Sequence, residues 1–289
     1  MKKIIGIIAV MIILITSSAQ ILNAQSGQAS QNQEEWIYTK QIGQRSPAPY
    51  PPLREADVLW AKKVWRMVDL REKMNQPLYY PTEPQGDWNS FIDVILNTLK
   101  SGENVYAYDA DAGDDMTIQI TQEDINLKFG AGMDSVWVPD LDGSGNGEWA
   151  ISENRITSSE VMQYIIQEVW YFDSKLSSLQ VRILGICPIR ISFNNETNSL
   201  EKRRLFWIKY DPFRRAFANF EAFNRYNDAH RISYDAVLLQ RRFDGFILAE
   251  SNVYDNRMVN EYELGKNALL ESERIKQVIF DFEQDLWEY

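Results

Sequence analysis

The sequence predicts a mixed α/β or α+β fold, a compact domain of short strands and packed helices with an extended N-terminal arm. Two patterns lead there. Segments with apolar residues at helical spacing alternate with short strand-like runs, which favours a mixed domain over a helical bundle. Turn-forming breaks separate these segments, while no internal repeat or low-complexity linker divides residues 55–289. One principal globular unit over 55–289 is the reading, with a division near 140–154 into two modest cores as the alternative.

Residues 1–24 read as a secretory signal peptide. Lys2 and Lys3 supply the positive start, Ile4 to Ile15 the apolar segment, and Thr16, Ser17, Ser18 and Ala19 the small residues, with cleavage after Ala19 or Ala24. The stretch turns polar too soon for a membrane span, and no cysteine lies near either cleavage point to take a lipid. The expected location is the periplasm or outside the cell. Loss of Lys2 and Lys3 takes the formal charge from −11 to −13, which makes nucleic acid and anionic membrane poor general partners.

Residues 25–54 form the arm. Pro47, Pro49, Pro51 and Pro52 remove backbone donors and disfavour helix, so an extended course is expected. Trp36, Tyr38 and Tyr50 can pack on the parent domain or fill grooves on a neighbouring subunit; a disordered linker fits the composition equally well. A helix over Glu55 to Met74 follows, with Ala56, Trp60, Val64, Met67 and Met74 near one face and Lys62, Lys63, Arg71, Glu72 and Lys73 on the other. Arg71 and Lys73 are thereby candidate partner contacts. Pro77 and Pro81 keep the next stretch extended, including Tyr79 and Tyr80.

A second helix is expected from Trp88 to Lys100, presenting Phe91, Ile95 and Leu99 and ending at Gly102. Short strands are expected at Val105 to Tyr108 and Met116 to Ile120, on either side of an acidic loop. Between Asp109 and Asp124 six carboxylates occur without a Lys or Arg, suggesting a solvated loop, a cation site or a face for a basic partner. Thr121 caps the next helix, and Ser135 to Val138 makes a strand that Pro139 ends. Thr157 and Glu160 suggest a capping box before a helix with Val161, Ile165, Val169 and Phe172 on one stripe.

Val181 to Ile191 reads as a core strand interrupted near Pro188, and Leu205 to Tyr210 as another strand. An Asp211-capped helix with Pro212 in its first turn would bury Phe213, Phe217, Phe220 and Phe223. A short helix at Ser233 to Arg241, a strand at Phe246 to Ala249 and a helix at Asn267 to Trp287 complete the chain. Glu271 and Arg274 can pair along the surface of that last helix.

Little in the chain points to catalysis. Cys187, the single cysteine, lies in an apolar run, and the single histidine, His230, has no sequence relation to it. Asp142, Ser144, Asn146, Gly147 and Glu153 approximate a calcium loop, but a strand replaces the expected entering helix and an ordinary Gly/Asp turn is the plainer reading. There is no phosphate-binding GxxxxGK[ST] loop, no two-histidine metalloprotease motif and no cysteine cluster for zinc. A carboxylate-dependent hydrolase lacks a persuasive acid pair. A carbohydrate- or peptide-binding module could use Trp137, Trp149 and the nearby acidic loop. No catalytic residue, cofactor or metal is assigned.

Four stretches carry a resemblance: Val64 to Pro81, Ile183 to Ile189, Leu269 to Lys276, and Phe282 to Tyr289. Through them the chain resembles the GldN/PorN family of the Bacteroidota gliding and type IX secretion machinery, over nearly all of the mature length. The resemblance implies a noncatalytic periplasmic ring component, peripheral to the outer membrane through a GldK/PorK-like lipoprotein and linked to the GldL/GldM motor. Self-association within the ring is a further implication. Residues 36–53 would then bind across the lipoprotein subunit.

Overall fold

The computed structural model describes residues 45–285, apart from 86–87, 103, 131, 140–146, 155, 195–197, 225–226 and 228. The signal segment, Trp36, Tyr38 and residues 286–289 lie outside the described residues. So do residues 142–146 of the calcium-like loop.

A 3₁₀ turn at Glu55–Asp57 leads into β1 (Val58–Asp69), the short α1 (Gln76–Tyr79) and α2 (Phe91–Ser101). Then come β2 (Ala107–Asp109), β3 (Gln119–Ile120), α3 (Gln122–Lys128) and a hairpin of β4 (Gly132–Pro139) with β5 (Gly147–Asn154). After a 3₁₀ turn at Ser158–Glu160 the chain forms β6 (Val161–Asp173), β7 (Ser178–Asn194), β8 (Ser199–Arg204) and β9 (Phe206–Lys209). The remainder is α4 (Tyr210–Asn219), β10 (Glu221–Ala222), β11 (Ile232–Ser233), α5 (Tyr234–Leu239), β12 (Phe246–Glu250), α6 (Val259–Tyr262) and α7 (Lys266–Asp285).

Eight strands make one open antiparallel sheet in the order β12-β1-β6-β7-β9-β2-β3, with β8 also on β7. The fold is thus a mixed α/β domain with open sheets. Successive side chains of a strand point to opposite faces, so β1 sends Val64 and Val68 one way and Trp65 and Met67 the other. The Val68 face meets α2, α4 and α5 through Phe91, Ile95, Phe213, Phe217 and Tyr234. On the opposite face Trp65, Met67, Ile165, Cys187 and Trp207 form a second core with Tyr108 and Met116. Ile275 and Ile279 of α7 close a third around Val64 and Ile247. A large apolar side chain fully removed from water contributes about 1.5–3 kcal/mol, so these layers dominate the stabilising side of the balance.

Several expected elements are present. Ser90 Oγ accepts from Asp93 N at 3.2 Å to start α2, and Gly102 at φ 70° ends it. Thr121 and Asp124 form a reciprocal capping box on α3. The Ser233 hydroxyl accepts from Ala236 N to start α5, which runs only to Leu239. The 266–285 helix and the strands around 107, 135, 206 and 246 also agree in type with expectation.

Other elements require correction. The expected Glu55 to Met74 helix is β1, and the expected helix after Thr157 is β6. Both were suggested by apolar residues four apart, such as Trp60 with Val64 and Val161 with Ile165. A spacing of four also keeps residues on one face of a strand, because it is twice the strand period. Pairing decides: β1 lies between β12 and β6, and its last six residues are all buried because both sheet faces are covered there.

β7 runs through Pro188 without a break. Pro188 keeps its carbonyl, which accepts from Leu205 N at 3.0 Å where β8 gives way to β9. The cap of α4 is Lys209 rather than Asp211, since Tyr210 is already helical; Asp211 and Pro212 both remain in the first turn. Phe223 is about half exposed, outside the core expected to hold it. Gln76–Tyr79 is helical despite Pro77, which sits in the first turn where its missing N–H costs no helical bond. Met116 has φ 51° and departs from strand geometry, leaving only Gln119–Ile120 of the strand expected at Met116 to Ile120.

Candidate functional site

Of the five sequence-derived contact candidates, Trp36 and Tyr38 lie outside the described residues. Arg71 and Lys73 are exposed in the turn after β1. Arg71 is tied back to its neighbour by Nε to Asp69 Oδ1 at 2.9 Å. Gln163 Nε2 donates to the other Asp69 oxygen at 2.9 Å. These hydrogen bonds, Arg71 first, hold the Asp69 carboxyl well below the usual carboxylate range.

Tyr50 packs on the parent domain, one of the two placements open from sequence. Its ring centroid lies 4.2 Å from the Arg214 guanidinium and 4.8 Å from that of Arg182. The same two arginines grip the backbone: Arg182 Nη2 donates to Pro51 O at 2.9 Å, and Arg214 Nη2 donates to Ala48 O. Further back, Arg45 N donates to Asn219 Oδ1 at 2.9 Å, and the Arg45 side chain pairs with Glu221 at 3.3 Å. Arg214 is in turn fixed by Asp235, which also accepts from Tyr210 Oη at 2.7 Å. Burial holds the Tyr210 hydroxyl protonated far above its ordinary range. Residues 45–54 are therefore a strap across α4 and β7, with a cavity of about 640 Å³ beside Arg45 and Pro47. Proline-restricted backbone places carbonyls that need outside donors, and arginines supply them.

The acidic segment is only partly solvated. Asp111 and Asp115 are exposed, but Asp109 and Asp111 both pair with Lys128 at the end of α3. Asp114 accepts from Arg204 Nη1 and Trp207 Nε1, each at 3.2 Å, while its carbonyl accepts from Gln167 Nε2 at 3.3 Å. Burial raises the Asp114 carboxyl above its ordinary value against the lowering effect of Arg204. The segment closes one sheet face.

A second charged centre escaped sequence reasoning altogether. Glu168 of β6 is fully buried and meets Arg66, Arg241 and the Trp170 indole. Its partners are distant in sequence. The one local sign was Gln163, Gln167 and Glu168 interrupting an otherwise apolar run. A cavity of about 500 Å³ opens over this centre, between α7 and the sheet.

None of this geometry forms a nucleophile–base pair from Cys187 and His230. Cys187 is fully buried in the second core, its thiol pushed up to about 12 by that burial, whereas His230 is exposed in a turn. Among the described residues no group of three or more His, Cys, Asp or Glu is placed to hold a metal ion. Glu153 lies in β5 opposite Met133, so that end of the calcium-like register is strand backbone. No helix among the described residues is long and apolar enough to cross a membrane.

No curated protein matches the chain. A family model does match, described as "Gliding motility associated protein GldN", over residues 53–288. That span runs from the end of the strap through every strand and helix of the fold. With most of its length inside that match, the chain belongs to the GldN family.

Proposed function

We propose that this protein is a noncatalytic scaffold of a periplasmic ring that serves type IX protein secretion and gliding motility. The family match across residues 53–288 carries the reading. Attachment to the outer membrane is through a GldK/PorK-like lipoprotein, and the GldL/GldM motor supplies the energy. The strap supports this arrangement, because gripping residues 45–54 gives the preceding arm a firm point of departure from which Trp36 and Tyr38 reach a partner. Arg71 and Lys73 offer exposed cationic contacts on the same domain.

Deletion of the gene followed by complementation tests the reading. Secretion and gliding should be lost and restored together. Fractionation should find the protein with the outer membrane only while the lipoprotein partner is present. The scaffold reading fails if the ring assembles normally while replacing a small set of carboxylates abolishes a hydrolytic activity of the purified chain.

A further inference from the structure

The edges of the large sheet are not treated alike. α7 packs along the outer edge of β12, with Ser272 Oγ accepting from Ile247 N at 2.8 Å. β3, at the far end, is only two residues long. β8 has six residues, pairs with β7 alone, and is exposed from Ser199 to Arg203. An unpaired edge of this kind is a template for a further strand. Its register shows which backbone groups face outward. Leu205 N donates to Pro188 O at 3.0 Å, and the ladder continues without a shift from Ile189 opposite Arg204 to Asn194 opposite Ser199. Opposed antiparallel residues alternate between bonded and non-bonded pairs, so Arg203, Glu201 and Ser199 turn their N–H and C=O toward β7. Leu200, Lys202 and Arg204 turn theirs away, and among the described residues no strand takes them up.

The side chains of Leu200, Lys202 and Arg204 share one face with Ile189, Ile191 and Phe193 across the ladder. Phe193 is 56% exposed and Leu200 69%, and as a non-bonded pair they lie close together on that face. Arg204 is matched by Asp114 at 3.2 Å. Lys202 has no ion-pair partner among the described residues, and Glu201 belongs to the opposite face with Arg203. The outer end of the β7–β8 hairpin thus offers unpaired backbone groups, an apolar pair and one uncompensated ammonium.

We propose that β8 binds an extended segment of a partner polypeptide, which joins the sheet as a further strand with an apolar side chain beside Leu200 and a carboxylate two residues along, beside Lys202. Main-chain hydrogen bonds supply the affinity in strand addition, and the alternate side chains supply the selection. A lysine on an open edge deters indiscriminate pairing and admits a strand that brings the opposite charge. Two copies of this chain paired antiparallel through β8, in the registers that use most of the strand, would set Glu201 against Glu201 or Lys202 against Lys202. The occupant is therefore a different polypeptide. The proposal stands apart from the ring reading, since it concerns this edge and not the arm.

Amide NMR titration of the purified full chain tests it with the acetylated and amidated peptide Thr-Glu-Thr-Val-Thr-Glu-Thr, whose valine has a glutamate two residues away on either side and so suits either strand direction. Binding should be saturable and shift the amides of Leu200 and Lys202. N-methylation of the valine and both glutamates keeps every side chain but removes the donors to the edge, and should weaken binding about tenfold or more. Leu200→Pro removes an outward N–H and no bond to β7, so the variant should fold and lose most of the affinity. Lys202→Glu, at an exposed position, should weaken binding severalfold and favour a peptide with lysine in place of both glutamates. If Leu200→Pro fails to fold, the Lys202→Glu titration decides. Equal affinity for the plain and N-methylated peptides, no saturable binding, or unchanged affinity in folded Leu200→Pro or Lys202→Glu would each overturn the proposal. So would a dimer of the free chain in sedimentation that Leu200→Pro disperses, since the edge would then belong to a second copy.

Discussion

Single ionisable residues in this domain are set either by a hydrogen-bonded partner or by burial. Asp69, nearly buried at the end of β1, is an ion held by Arg71 and Gln163. Its depressed folded-state pKa fixes the sign of its pH dependence. The contribution is complete above the unfolded carboxylate pKa of about 3.9 and is lost as pH falls toward the lower folded value. Asp69→Asn should therefore lower stability near pH 7 and shrink the difference in stability between about pH 7 and about pH 3. Urea unfolding of both proteins at the two pH values measures this, and an undiminished difference would contradict it. Cys187 shows the reverse effect, since burial disfavours its thiolate. The native chain should resist iodoacetamide near neutral pH and react once unfolded in urea; rapid labelling of the native protein would show that the thiol is accessible.

Elements are stabilised where one supplies what another lacks. β12 pairs with β1 on one side only, so its outer edge would leave donors unpaired. α7 covers that edge: Ser272 Oγ accepts from Ile247 N at 2.8 Å, and Ile275 and Ile279 pack beside it. Ser272→Ala leaves a buried N–H without its acceptor and should cost about 1–3 kcal/mol in chemical denaturation. A change near zero would mean that water takes over the site. The same dependence on neighbours explains which elements could be read from sequence. Thr121 marks the start of α3 in the sequence itself, and α5 begins at the expected Ser233, whereas α2, expected from Trp88, starts only at Phe91 behind its Ser90 cap. β1 and β6 carried apolar residues four apart, which suit helix and strand alike, and their mutual pairing over residues 58–173 settled the choice.

At the scale of the whole molecule, the contacts of residues 45–54 tie that strap to the domain that follows it. Tyr50, Ala48 and Pro51 are engaged by Arg182 and Arg214, so this part of the proline-rich segment belongs to the folded unit. Tyr50→Ala should destabilise that unit by about 1–3 kcal/mol, through lost apolar burial and lost cation–π contact. Trp36→Ala with Tyr38→Ala should leave the melting temperature unchanged and weaken association with a GldK-like lipoprotein. Thermal denaturation and partner affinity, measured on both variants, separate the two roles. If Tyr50→Ala melts like the parent, the strap is not part of the cooperative unit.

The sequence by itself determined the mixed class, the capped helices, the apolar setting of Cys187 and the family, because each rests on neighbouring residues or on side-chain identity along the chain. Glu168 with Arg66 and Arg241 could not be found that way, nor could the Tyr50 clamp. Their partners are brought together by β1, β6 and the turn after α5, or by the strap with α4 and β7. Only the tertiary structure decided these, since the strength of a charge pair depends on distance and burial, and neither is a property of sequence spacing.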